Sequence, residues 1–111
     1  MTKTIASAAL FAALSLVNHG AIAGDPAKGE QLAATCVACH GPGGNKPIAD
    51  YPIIAGQHAS YLARALADYK SGVRANPIMA GIAAPLSKQD QADLAAYFSR
   101  QTSSLSTLDR K

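Results

Sequence analysis

The 111-residue sequence has no tryptophan, two cysteines, two methionines and two phenylalanines. Aromatic residues make up only 5% of it, and alanine supplies much of the apolar count. A chain this poor in bulky side chains has little with which to fill a core. Two cysteines three positions apart also exclude a disulfide framework, because so short a closed loop staples little. The longest apolar run, thirteen residues from Ile5 to Val17, falls short of the roughly 20 needed to span a bilayer. Ten basic and seven acidic residues leave a net charge of +3, with no basic cluster to suggest nucleic acid. No segment alternates in the manner of a strand.

What is present begins with a targeting pattern. Lys3 precedes the run "IASAALFAALSLV", and "NHGAIA" then ends in the small residues Ala21 and Ala23. This order predicts a secretory signal peptide over residues 1–23, cut between Ala23 and Gly24, and delivery to the periplasm. The remaining 88 residues suffice for one small domain, expected over 24–102, with a flexible tail at 103–111. Domains of this size often need a staple, and a bulky apolar cofactor would serve as one.

The pattern that follows is helical. Asp25 is placed to cap and Pro26 suits a first helical position, so a helix is expected from about Pro26 into Cys36. Gly29 is costly inside it and implies a close approach by another element. Pro42, Pro47 and Pro52 with four glycines make residues 41–57 a loop. Tyr61, Ala65 and Tyr69, flanked by Leu62 and Leu66, mark an amphipathic helix from His58 closed by Gly72. "VRANPIMAGIAAPL" reads as a second irregular segment. Ser87 with Asp90 resembles a capping box opening a last helix whose apolar face is Leu94, Tyr97 and Phe98. The reading is all-α, three main helices with long loops.

Cys36, Cys39 and His40 form C-x-x-C-H, the pattern of covalent c-type haem attachment. Two cysteines about one helical turn apart match the vinyl groups of neighbouring pyrroles, and the adjacent His40 then comes under the iron. A thioredoxin-like dithiol would need a βαβ context, and none is visible. A structural zinc site would need a fourth ligand, for which only His58 remains. Haem iron in electron carriers is commonly held by His and Met. Met79 is the one methionine after the predicted cleavage point, and His58 stays open as the alternative second ligand. A ligating histidine is oriented by a hydrogen bond from its other ring nitrogen, for which the carbonyl of Pro52 is a candidate.

Four segments in order carry a family resemblance: "GDPAKGEQLAATCVACHG", "YPIIAGQHASYL", "KSGVRANPIMAG" and "LSKQDQADLAAYFS". Together they resemble the class I c-type cytochromes, in particular small single-haem periplasmic forms similar to one half of the bacterial two-haem cytochromes. The resemblance implies the cytochrome c fold and one covalently bound haem c. Cys36 and Cys39 would be its thioether sites, with His40 and Met79 as the axial ligands of its iron. It also implies that the carbonyl of Pro52 accepts from the ring of His40, and that Gly29 lets the last helix cross against Tyr97. Ile53 and Ile54 stand where the family often has Asn-Leu. Tyr51, Tyr61, Leu62, Leu66 and Ile82 are candidates for the haem pocket, and Arg74 and Lys46 for partners of the haem propionates.

The function implied is that of a periplasmic single-electron carrier, not an enzyme, cycling between Fe(II) and Fe(III). Its expected partners are a cytochrome bc complex, a terminal oxidase or a periplasmic dehydrogenase, with no nucleic acid and no transmembrane segment in the mature chain. Two alternatives stand beside it: a haem subunit of a dehydrogenase complex, and a haem peroxidase or gas-binding sensor.

Overall fold

The computed structural model describes residues 22–46 and 50–105. The predicted signal peptide up to Ala21 and the tail from residue 106 lie outside the described residues. Within them the elements are α1 (Pro26–Leu32), α2 (Ala34–His40), a 3-10 turn at Pro42–Gly44, α3 (Ala59–Ser71), α4 (Pro77–Ala83) and α5 (Lys88–Ser99). There is no strand among the described residues.

Two of the sequence expectations need correction. The first helix does not run unbroken from Pro26 into Cys36. It turns at Ala33, whose N–H reaches back three residues to the Glu30 carbonyl (3.2 Å) while its own carbonyl accepts from Cys36 N–H (2.9 Å). These tightened turns place all of C-x-x-C-H in a separate helix, α2, which ends where Gly41 adopts φ 80°. The segment around Met79 is not irregular either. Asn76 caps it, its side chain accepting the Met79 N–H at 3.0 Å, and Pro77 takes the first helical position, so a seven-residue helix forms.

The other helices follow the expected signals. α1 is capped by Asp25, which accepts from Ala27 N–H at 2.9 Å. α3 ends at Gly72 in the left-handed conformation. α5 begins with a reciprocal capping box: Asp90 N–H donates to Ser87 Oγ (3.0 Å) and Ser87 N–H donates to Asp90 Oδ2 (2.8 Å).

Packing is organised by α1 crossing α5, with α3 also packed against α5. At the crossing, a methyl group on Gly29 would overlap the Asp93 carbonyl and lie 2.8 Å from Tyr97 Cβ. A larger residue there would hold the helices apart. Asp93 is 2% exposed and fastens the same junction, accepting from Asp25 N–H (2.7 Å) and Gln89 Nε2 (2.8 Å). The buried cluster is Ala33, Leu62, Leu94, Ala95 and Phe98, with Cys36, Val37, Ile54 and Leu66 packed on it. It lies along one side of a large cavity, so α3 and α5 form both core and cavity wall.

Near the C-terminus the chain stays attached beyond α5. Gly56 N–H donates to the Phe98 carbonyl at 2.9 Å, and Ser104 N–H donates to Asn45 Oδ1 at 2.8 Å.

Candidate functional site

The cavity measures about 1300 Å³, counting the part open to solvent. α2 contributes Cys36, Cys39 and His40; the loop contributes Tyr51, Pro52, Ile53 and Ile54; α3 contributes Tyr61, Leu62, Leu66 and Tyr69. Met79 and Ile82 come from α4, and Leu94 and Phe98 from α5. The wall is mainly aliphatic and aromatic, interrupted by few polar groups.

Cys36 and Cys39 lie three positions apart on α2, both half-buried, and form no disulfide with each other. Burial, more than any other influence, pushes the Cys36 thiol above its ordinary pKa. A reactive dithiol requires the opposite, a thiolate favoured by nearby positive charge. Cys36 therefore lacks that activation, and among the described residues no cluster of three or more His, Cys, Asp or Glu side chains could hold a bare metal ion.

His40 closes α2 and is buried at 7% exposure. Its Nδ1 lies 2.7 Å from the carbonyl oxygen of Pro52. A carbonyl only accepts, so Nδ1 carries the proton and donates, leaving the lone pair on Nε2 free to bind a metal. The loop that supplies this carbonyl is held in place from below. Gly44, at φ 75°, turns its carbonyl to accept both Ile54 N–H (2.9 Å) and Ala55 N–H (3.1 Å). Lys46 N–H donates to the His40 carbonyl at 2.9 Å. The Tyr51 ring stands edge-on to His40, with centroids 6.4 Å apart.

Met79 sits in the first turn of α4, half-buried and on the cavity wall. Asn76 fixes that turn, a role the sequence carried in the Asn-Pro pair of a capped helix. His58, the alternative ligand, is exposed at the start of α3 and has no place on the wall. Tyr51, Tyr61, Leu62, Leu66 and Ile82 all line the cavity. So does Arg74, whereas Lys46 is exposed and does not. The Tyr61 hydroxyl, 3.3 Å from Arg74 Nη1, raises the guanidinium pKa further above its ordinary value.

The donors suit a flat iron macrocycle. An imidazole with a free lone pair and a thioether reach one apolar cavity from two different helices, beside two cysteines one turn apart. Both are ligands of haem iron in electron carriers, and thiols at this spacing are its covalent anchors.

Comparisons with known proteins agree. Cytochrome c4 of Pseudomonas aeruginosa is 42% identical over 98% of this chain and 53% of its own length. Cytochrome c-554(548) of Halomonas halodenitrificans is 44% identical over 71% of this chain and 99% of its own. The crystal structure of reduced recombinant cytochrome c4 from Pseudomonas stutzeri superposes with a TM-score of 0.71, at 42% identity, covering 75% of this chain and 48% of that one. The chain thus spans about half the length of the cytochrome c4 relatives it matches. Residues 26–101 match the Cytochrome c family, and the chain belongs to that family, with the cytochrome c fold and covalently bound haem c as its cofactor.

Proposed function

We propose that the chain is a single-electron carrier of the periplasm, delivered there by the signal peptide at residues 1–23, and not an enzyme. The haem supplies a one-electron Fe(III)/Fe(II) couple. Cys36 and Cys39 would hold it by thioether bonds, and His40 Nε2 and Met79 Sδ would be its axial ligands. The observation that carries this reading is the pairing of two placements. His40 has its tautomer set by the Pro52 carbonyl, and Met79 stands on the same cavity wall in a capped, well-defined turn.

Each of this chain's residues then has a task in moving an electron with little rearrangement. The Pro52 carbonyl keeps the His40 ring from rotating and raises its basicity. Asn76 and Pro77 fix the turn from which Met79 approaches. Leu62, Leu66, Leu94 and Phe98 exclude water and keep the surroundings of the iron at low dielectric, which favours the less charged reduced state. His40 is the one histidine on the wall among the described residues, so the distal histidine expected of a peroxidase is not supplied there.

No helix among the described residues is long and apolar enough to cross a membrane. Partners would be redox proteins met in brief encounters, since such interfaces are small: a cytochrome bc complex, a terminal oxidase or a periplasmic dehydrogenase. An anaerobic redox titration followed by visible spectroscopy tests the reading. The expected result is one reversible one-electron wave, a weak thioether-to-iron band in the oxidised protein, and no spectral change of the reduced protein under carbon monoxide. Rapid carbon monoxide binding at neutral pH would overturn it.

A further inference from the structure

Asp93 is the most deeply buried charged side chain among the described residues, 2% exposed. Its hydrogen bonds there end on one oxygen: Oδ1 accepts from Asp25 N–H at 2.7 Å and from Gln89 Nε2 at 2.8 Å. Both donors are neutral, and the one ion pair among the described residues, Arg64 with Asp68, lies elsewhere. An aspartate this buried is ordinarily paired with a cation, and electron transfer makes no use of it.

The chain end expected after export lies beside this carboxylate. Gly24 becomes the first residue once the signal peptide is cut after Ala23. Its Cα rests against α5: a methyl group there would overlap the Ala92 carbonyl and stand 2.9 Å from Ala96 Cβ. One residue of backbone spans at most ~3.6 Å. The Gly24 nitrogen therefore lies within roughly 6.3 Å of Asp93 Oδ1. Gln89 Nε2 joins the two sides, since it also donates to the Ala23 carbonyl at 3.0 Å. That carbonyl departs with the signal peptide.

Hydrolysis breaks the bond between the Ala23 carbonyl carbon and the Gly24 nitrogen. Water supplies the oxygen of a new Ala23 carboxylate, and both its protons end on the nitrogen, an α-ammonium at neutral pH. We propose that this ammonium turns about the Cα–C bond of Gly24 and pairs with Asp93, so that removal of the signal peptide completes the junction of α1 with α5. The proposal rests on the export reading above, with cleavage between Ala23 and Gly24. An opposite charge within about 4–6 Å favours the charged form of each group. Asp25, the other carboxylate near the chain end, is exposed and already accepts from Ala27 and Lys28 N–H at the start of α1.

The test compares four holoproteins: the parent and Asp93→Asn, each with its native start and each with Ser-Gly-Ser-Gly inserted after Ala23. Mass spectrometry first fixes where each mature chain begins. The insertion keeps an ammonium but carries it away from α5. It should lower the denaturant midpoint of the parent at unchanged slope. It should leave that of Asp93→Asn nearly unmoved, the non-additivity expected of paired groups. Equal losses in both backgrounds, or no loss in the parent, would overturn the pair. A second measurement needs no variant: the Gly24 amine should react with acetic anhydride several-fold more slowly in the folded parent than in the unfolded chain. Equal rates would also overturn the proposal. A mature chain beginning at any other residue would overturn it by removing the cleavage it rests on, and would leave the electron-carrier reading intact.

Discussion

Gly29 of α1 and Tyr97 of α5 touch at the helix crossing, where a methyl on Gly29 would come within 2.8 Å of Tyr97 Cβ and into the Asp93 carbonyl. Two effects oppose each other in Gly29→Ala. Alanine gains up to about 1 kcal/mol of helix propensity, and overpacking costs about 1–3 kcal/mol or more. The obstacle is backbone on a second helix, which cannot rotate away, so the clash wins. The holoprotein should lose on the order of 2 kcal/mol, seen as a lower denaturant midpoint at unchanged slope. A variant as stable as the parent would show that the two helices can part without cost.

The wall position of Met79 gives a spectroscopic prediction. Met79→Ala should lose the thioether-to-iron band, admit carbon monoxide and lower the potential by more than one tenfold step, about 59 mV. Cys36 and Cys39 are untouched, so the haem should remain attached through denaturing electrophoresis. An unchanged potential would remove Met79 from the iron.

The features legible in the sequence were those written in local chemistry. C-x-x-C-H, the Ser87–Asp90 box, Gly72 as a stop and Gly29 as a place of close approach each depend on residues near one another or on one unusual residue. Asp93 was not legible. It reads as one more polar position on the last helix, and only the fold shows it buried under the segment that begins α1. The helix at Pro77–Ala83 could have been anticipated, because Asn76 and Pro77 form a start signal; Pro77 instead reads as a break, together with Gly81 and Pro85, in an irregular segment. The break at Ala33 had no local warning, since alanine is the best helix former and the turn there serves the packing of a buried side chain. At the site, the motif identified His40, but only the fold distinguished Arg74 from Lys46, two exposed cations that look alike in the sequence.

The capping box of α5 carries a pH prediction. Hydrogen bonds from the Ser87 hydroxyl, then the Ser87 backbone, hold the Asp90 carboxyl below its ordinary pKa. A carboxyl depressed in the folded state stabilises the protein above its unfolded value, near pH 3.9. That contribution disappears as the pH falls through the folded value. Ser87→Ala should therefore be less stable than the parent at pH 7. The gap should narrow as both are acidified below about pH 4, measured as the difference in thermal midpoint. A gap that stays constant with pH would mean the cap acts through the neutral hydroxyl alone.

The last prediction concerns what the cofactor does for the fold. Among the described residues, four of the seven buried apolar residues are alanines, leaving Leu62, Leu94 and Phe98 as the large ones. Leu62, Leu94 and Phe98 also border the cavity, so each loses packing partners on one face when nothing fills it. α4 lies beyond that space, with its Ile78 exposed. Collapse of α3 and α4 onto the gap is opposed by the Gly29 crossing and the Asp93 junction, which set the position of α5 from the other side. The double variant Cys36→Ser, Cys39→Ser, purified free of haem, should therefore lose most of its helical circular dichroism and its cooperative unfolding transition. The region containing α4 should exchange its amide hydrogens first. A haem-free chain that stayed helical and melted cooperatively would show that three large side chains and a helix crossing are core enough.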